Sequence, residues 1–410
     1  MLAKSKTLLL AIGLVVGNLF AGDLDHLIPG IYEQFHPGVP GIIVGSTDRH
    51  QAHFVTGTDA ALRALNSQLG HDFAVFPFSS VAGAFKFNYD AELNTFVKTT
   101  DTLGPLFAER GDVLGKKNLN VAFTYTFFDY DSFNGRSLSD FHLTAKHLPN
   151  SFPGGDPNEI DPGTYEEDTL DLKFDINASV KIYSFILNYG VTDSLDVGVL
   201  VPLVDVRMRL QSHWSIVVSP NNTHAPNIHT TDPNQGADPQ DAQASGSAFG
   251  MGDLVLRSKY QFLKEKPVDL AALVLLKLPT GDVHNFLGSG DTTIRPVLAV
   301  SRVFHDVLRP GLNFTPHLNV GYEFDVDDTR RNSFEYVAGA EFGNSRVTLD
   351  VDFLGSRRDD GQHRVSAAVG GRWNVWKRLI LSADLLFPLN GEGLRSDLVT
   401  TVGAEYSIAF

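Results

Sequence analysis

From Leu170 to Lys181 the chain alternates without a break. Leu170, Leu172, Phe174, Ile176, Ala178 and Val180 are apolar, and Asp171, Lys173, Asp175, Asn177, Ser179 and Lys181 between them are polar or charged. Successive side chains of a β-strand point to opposite faces, so such a run specifies a strand with one apolar face and one polar face. It is longer than the ~5–6 residues typical of strands in soluble sheets. The period recurs. Val204, Val206, Met208 and Leu210 oppose Asp205, Arg207 and Arg209, while Leu254, Leu256, Tyr260 and Phe262 oppose Asp253, Arg257, Lys259 and Gln261. Similar alternations run through 312–324, 346–353 and 364–375. A chain patterned in this way folds as an all-β protein. Either the apolar faces share the core of a two-sheet sandwich, or they meet lipid around a barrel whose polar faces line the lumen.

Two features select a transmembrane antiparallel up-and-down β-barrel. Strands are expected near 117–131, 169–191, 195–211, 248–263, 268–280, 291–304, 311–325, 333–343, 345–356, 362–375, 378–388 and 396–410. Short connections at Asp193, Glu265, Asp306, Asn344 and Trp376 alternate with mostly longer ones at 132–168, 212–247, 281–290, 326–332, 357–361 and 389–395. Outer-membrane barrels have short periplasmic turns and long outer loops, an asymmetry a sandwich has no reason to produce. The second feature is the last strand, where Leu398, Thr400, Val402, Ala404, Tyr406, Ile408 and Phe410 alternate to the final residue. It resembles the terminal strand of bacterial outer-membrane proteins. That resemblance implies that the outer-membrane assembly machinery reads Tyr406, Ile408 and Phe410. A further hairpin, 80–90 with 93–101, would raise the count from twelve strands to fourteen, and fourteen is the preferred count of the 12–14 considered.

At the N-terminus Lys4 and Lys6 precede an apolar run from Leu8 to Phe20, and Ala21-Gly22-Asp23 follows. This is the order of a signal peptide, here residues 1–21. The run is short for a membrane-crossing helix. No later stretch of about 18 apolar residues occurs, so a mature chain that spans a membrane must do so as a closed barrel. Residues 22–78 carry one short helical pattern: Thr58 can cap it, Ala61, Leu62, Leu65 and Leu69 share a face, and Gly70 can end it. This segment is expected as a periplasmic arm or as a plug inside a barrel formed by 79–410.

The formal net charge of −15 argues against nucleic acid as a partner, since such binding is dominated by Lys and Arg contacts to phosphate. With no Cys there is no disulfide, thiolate metal site or cysteine nucleophile. Gly250-x-Gly252-Asp253 precedes no helix and is no phosphate loop. Asp129-x-Asp131 with Asn134-Gly135 reads as turn chemistry, because Phe133 stands where a calcium loop needs a ligand. The acidic run from Asp156 to Asp168 reads as a solvated outer loop, with a bridging divalent cation as the sharper alternative. His213, His224 and His229 lack metal spacing. No Gly-x-Ser-x-Gly string occurs. No cofactor, metal or catalytic residue is expected.

Several strings recur in a fixed order. Phe78-Ser79-Ser80-Val81-Ala82-Gly83-Ala84-Phe85 comes first, then Leu103-Gly104-Pro105-Leu106-Phe107-Ala108-Glu109-Arg110. Asn188-Tyr189-Gly190-Val191-Thr192-Asp193 and Val201-Pro202-Leu203 follow. The last are Gly250-Met251-Gly252-Asp253, Leu278-Pro279-Thr280-Gly281-Asp282 and Leu287-Gly288-Ser289-Gly290. Together they resemble, over residues 78–410, the outer-membrane transporter family named for the MetA pathway of phenol degradation. That family is similar to outer-membrane fatty-acid and aromatic-hydrocarbon transporters, which implies passage of small apolar molecules. Read from the residues alone, these strings are strand ends and turns, and Pro202 marks a bulge or a shift of face.

If the polar faces line the lumen, Lys173, Arg207, Arg209, Arg257, Lys259, Arg372 and Glu405 face inward. The expected function is passive uptake of small, apolar or aromatic molecules through the outer membrane of a diderm bacterium, with lipid, substrate and assembly machinery as partners. A general porin for polar solutes, an outer-membrane barrel enzyme of lipase or acyltransferase type, and an adhesive barrel acting through its loops are the competing readings. Whether the protein is a monomer or a homo-oligomer is left open.

Overall fold

The computed structural model describes residues 24–33, 55–74 and 101–410 apart from 148, 150–158, 222–228, 231–239 and 265–266, together with four short strand segments before residue 100. The expected signal peptide, residues 1–21, lies outside the described residues.

Twelve strands form the wall: β1 (Asn118–Tyr130), β2 (Thr169–Gly190), β3 (Leu195–Val217), β4 (Gln240–Met251, resuming as Leu254–Leu263), β5 (Asp269–Leu278), β6 (Thr293–Ser301), β7 (Asn313–Asp325), β8 (Ser333–Gly343), β9 (Val347–Arg358), β10 (His363–Trp376), β11 (Leu379–Pro388) and β12 (Val399–Ala409). Each pairs antiparallel with the next. β12 pairs with β1, from Thr400 opposite Phe127 to Ala409 opposite Asn118, and closes the barrel. Closure leaves no edge strand in the lipid-crossing part of the wall, the condition for a sheet to cross lipid. The preferred count of fourteen is corrected to twelve. The expected extra hairpin exists as Phe87–Asp90 with Thr95–Lys98, but these strands pair only with each other. Four residues are too few to span a membrane, which takes about 9–11.

Around most of the wall the apolar face points out. Phe123, Leu256, Tyr260, Leu298, Leu318, Leu349, Phe353, Trp373, Leu381 and Val402 are exposed, and their neighbours in sequence are turned inward. β2 and β3 depart from this. At 22 and 23 residues they are about twice the length a crossing needs. Even-numbered residues point inward along nearly all of both strands. On β2, Tyr183, Phe185, Leu187 and Tyr189 face lipid, but from Lys181 back to Asp171 the outward side chains are polar and Leu170–Ile182 supply the apolar inner face. This half stands above the membrane on the long-loop side. The strand Phe141–Lys146 extends it beyond β1, and the first segment of β4 flanks β3.

Two helices, rather than one, fill the inner side of this extension: α1 (Leu27–Glu33) and α2 (Val55–Ala74). Leu62, Leu65, Leu69 and Phe73 of α2 join Leu24, Ile28 and Ile31 and the inward residues of β2 and β3, including the fully buried Trp214, in one core. Burying each of the four α2 side chains contributes about 1.5–3 kcal/mol. Ala61 lies exposed. The helix does not end at Gly70. It continues to Ala74, and the ring of Phe286 occupies the space beside Gly70, where a Cβ would meet it at 2.3 Å.

Pro202 causes no shift of face in β3, whose register with β2 runs unbroken through Val201–Phe185 and Pro202–Ser184. The break falls in the neighbouring strand. Proline offers no N–H to β4, and β4 is interrupted at Gly252-Asp253, where Gly252 N donates to Pro202 O at 2.9 Å.

Candidate functional site

Residues 101–116 run inside the barrel near its short-turn end. A non-regular segment at membrane depth must have its backbone groups satisfied by protein. Inward side chains of the wall do this. Leu103 N donates to Thr348 Oγ1 (2.8 Å), Gly104 N to Glu341 Oε2 (3.1 Å), Ala108 N to Asp352 Oδ2 (3.3 Å), Gly111 N to Ser301 Oγ (2.9 Å) and Leu114 N to Asp196 Oδ2 (2.8 Å). Glu109 and Asn319 exchange two bonds, Glu109 N to Asn319 Oδ1 at 2.6 Å and Asn319 Nδ2 to Glu109 O at 2.7 Å. Arg110 donates through Nε to Glu341 Oε1 at 2.7 Å. The acids and amides on the inner face are therefore sockets for this internal strap.

The strap also meets the expected lumen-facing cations. Glu109 accepts from Lys259 Nζ at 2.9 Å and Arg257 Nη2 at 3.1 Å, all three side chains being largely buried. Arg372 pairs with Glu405, two strands along the inner face, and donates through Nη2 to Pro105 O at 2.7 Å. Asn120 Nδ2 donates to the other Glu405 oxygen at 3.2 Å. Lys173, Arg207 and Arg209 are placed otherwise. They stand on the outer surface of the extended halves of β2 and β3, with Lys173 side chain 47% and Arg207 62% exposed. Their assignment to the lumen is corrected: above the membrane the outer face meets water, and the apolar face turns inward onto the helices. Tyr406, Ile408 and Phe410 are on the outward face of the closing strand.

At the long-loop end α2 closes over the mouth. Phe73 packs on Tyr130 (centroids 5.2 Å) and Phe286 (5.7 Å). Asp72 pairs with Arg364 at 2.7 Å and accepts from Leu394 N at 3.2 Å. His71 lies 3.4 Å from Asp291, which also pairs with Arg331. Burial would push the Asp291 carboxyl up, but the nearby His71 and the charges of Arg331 and Lys277 outweigh it and hold it below the usual carboxylate range.

Between α2 and the strap lies a cavity of about 300 Å³. Asp72 and Ala74 roof it, and Phe107 and Glu109 of the strap lie opposite. Phe128, Ile186, Leu200, Val255, Leu273, Leu275 and Val297 form a mainly apolar side from β1 to β6, on which Arg257 and Lys277 also lie. Arg295, Glu323, Glu335, Ser356, Arg364 and Arg395 form a charged side from β6 to the segment before β12. Burial, then the nearby Arg364, lower the Arg395 guanidinium to about 10.

The glycine-rich strings noted in the sequence meet at one place. Asp253, buried in the β4 break, accepts from Gly281 N (3.0 Å), Ser289 N (2.8 Å) and Ser289 Oγ (2.8 Å). Thr280 Oγ1 donates to Gly252 O at 2.8 Å, and Lys277 Nζ to Ser289 Oγ at 2.7 Å. A Cβ on Gly288 would lie 2.4 Å from Asp253 Oδ1. This knot shapes the 281–290 loop and so presents Phe286 to α2. Sequence reasoning read these strings as turns and missed the partnership, which joins positions far apart in the chain.

Among the described residues one acidic trio, Asp291, Asp325 and Asp327, is close enough to hold a metal ion, and its Asp291 is already engaged by Arg331 and His71. In the acidic outer loop Glu166 accepts from Asp161 N and Asp168 from Ser219 N. His213 hydrogen-bonds Asp241 at 2.7 Å on the exposed outer surface, away from the cavity.

The family model described as "Putative MetA-pathway of phenol degradation" matches residues 151–393, more than half of the chain. The chain belongs to this family. No protein of curated function matches it. Among solved structures, the COG4313 outer membrane channel from Pseudomonas putida F1 is similar over 72% of this chain and 97% of its own, at 14% identity and a TM-score of 0.45. The CymD monoaromatic hydrocarbon channel matches over 72% and 90% at 10% identity and 0.34. The Ralstonia pickettii toluene transporter TbuX matches over 71% and 90% at 14% and 0.32. These values are too low for a shared substrate to be read from them. The protein is an outer-membrane β-barrel of the MetA phenol-degradation family.

Proposed function

We propose that this family member is a conduit for passive uptake of small apolar or aromatic molecules across the outer membrane. The observation that carries the reading is the cavity between α2 and the strap, with its predominantly apolar side from Phe128 to Val297. A general porin needs a watery path lined by polar groups. Here many of the inward charges of the lower barrel, among them Glu341, Asp352, Arg257, Lys259 and Arg372, hold residues 101–116, and α2 covers the mouth. The names of the similar channels point the same way without carrying the argument. The reading involves no catalytic step. We also read Tyr406, Ile408 and Phe410 as the strand signal for the assembly machinery, on their alternate outward positions beside β1.

Liposome swelling tests the proposal against a porin. Vesicles holding the full-length protein should not swell in an isotonic pentose solution. Swelling at a rate that falls with solute size would establish a general porin and overturn the reading.

A further inference from the structure

Outside the wall, the lipid-facing surface of β1–β4 ends at a row of rings. Tyr125 packs on Tyr183 (centroids 5.3 Å), and Tyr183 meets Phe249 edge-on at 6.5 Å. Aromatic side chains gather at the membrane–water boundary of such barrels, so this row marks the height of the outer headgroups. The next outward position on β2 is Lys181, opposite Asp205. Arg207 follows one step higher between Ser179 and Ser247, and Arg209 the step after between Asn177 and Ser245. Outward residues of one strand are about 7 Å apart, so the three cations stand within roughly two such steps of one another, Lys181 level with Phe127 and Phe249 and the two arginines above the rings. Two carboxylates share these rows, Asp205 and Asp129. Arg207 pairs with Asp205 at 3.3 Å. Arg209 is exposed, and neither it nor Lys181 forms an ion pair among the described residues. Further out the charges are matched locally, Lys173 with Asp140 at 2.7 Å and His213 with Asp241 at 2.7 Å.

A chain with a net charge of −15 thus places a cationic group with hydroxyl and amide donors at the one height where the outer leaflet presents its headgroups. We infer that Lys181, Arg207 and Arg209, with Ser179, Ser245, Ser247 and Asn177, form a binding site for the phosphate groups of the phosphorylated glycolipid of the outer leaflet. Arginine grips phosphate through paired N–H donors, lysine acts as a point charge, and the hydroxyls supply neutral hydrogen bonds. The acyl chains of the same lipid would lie along Tyr183, Phe185 and Leu187 below. The site holds the extended sheet, and with it α1 and α2 on the other side, at a fixed height over the membrane.

The test measures binding of diphosphoryl lipid A in mixed micelles to the detergent-purified full chain, against the same lipid with its phosphates removed. A cation near a membrane surface is worth roughly a fivefold change in affinity, so K181Q/R207Q/R209Q, which removes two unpaired cations and one paired with Asp205, should weaken binding by about 25-fold or more. K181Q and R209Q should each cost about fivefold, R207Q less because Asp205 already pairs with it, and K173Q, paired with Asp140 further out, should bind as the native protein does. Heat-shifted gel mobility establishes that each variant is folded. If the triple variant does not fold, K181Q and R209Q separately carry the test. Equal binding of phosphorylated and dephosphorylated lipid overturns the inference, as does a folded variant that binds lipid A like the native protein.

Discussion

Replacing Glu109 with Ala should open the lower end of the barrel. In the native protein one Glu109 carboxylate neutralises both Lys259 and Arg257, at 2.9 and 3.1 Å, with the three side chains 13%, 3% and 11% exposed. The substitution leaves two buried cations facing each other with their shared anion gone. Removing one partner of a buried pair costs about 3–5 kcal/mol, because the surviving charge stays desolvated. The cost falls on the seated state of the strap alone, since water can reach the cations once it lifts. An equilibrium biased by that amount shifts by a factor of about 150 to 5,000. In a planar bilayer the native protein should be nearly silent, and E109A should show frequent ion-conducting openings. Because Lys259 left without its anion is the cause, K259M added to E109A should return part of the lost seating. Openings as rare in E109A as in the native protein, with an unchanged thermal transition of the gel-resolved barrel, would refute the reasoning.

The other expectations concern the mouth. Gly70→Ala puts a methyl 2.3 Å from the Phe286 ring, and overpacking at this contact should cost about 1–3 kcal/mol, read as faster protease cleavage around α2 with the barrel band intact. Asp253→Asn keeps the shape of the side chain but removes its charge from Gly281 N, Ser289 N and Ser289 Oγ. Hydrogen bonds to a charged group are worth about 1.5–3 kcal/mol, so hydrogen exchange across 281–290 should accelerate. Asp291 has a depressed carboxyl pKa in the folded state, so its contribution to seating α2 is complete above its unfolded value near 4 and fades as pH falls through the lower folded value. Proteolysis around α2 should therefore rise below about pH 4, and D291N should remove that part of the pH dependence.

The wall was legible in the sequence because lipid imposes period 2 on every crossing strand. The apolar positions of 254–262, 312–324, 347–353 and 365–375 face outward in the structure as they do in the pattern. The same rule misplaced Lys173, Arg207 and Arg209, and the reason is physical. Alternation states that two faces differ, not which is inside; below the boundary lipid takes the apolar face, and above it the internal helices do. A signal was present. On β2 the apolar positions are even up to Ile182 and include odd Tyr183, Phe185, Leu187 and Tyr189 beyond it, with no register change in between. That change of apolar phase, within a strand about twice the length of a crossing, marks the membrane surface. The strap from 101 to 116 left no such mark, because backbone held by distant side chains has no period. Nothing in the local pattern sets Glu341, Thr348, Asp352 and Ser301 apart, and only the fold shows that they hold Arg110, Leu103, Ala108 and Gly111. Gly70 read as a helix end for a similar reason, its true partner Phe286 being 216 positions away.

The most direct test of the conduit is uptake by cells. A labelled monoaromatic hydrocarbon would be supplied at low concentration to cells carrying the native protein, to cells lacking it, and to cells carrying L200D/L273D, which places two carboxylates on the apolar side of the cavity. The account predicts faster uptake with the native protein, loss of that gain in the folded double variant, and no difference among the three for a disaccharide of similar size. Uptake of the hydrocarbon that is indifferent to the protein, or unaffected by the two aspartates, would contradict it.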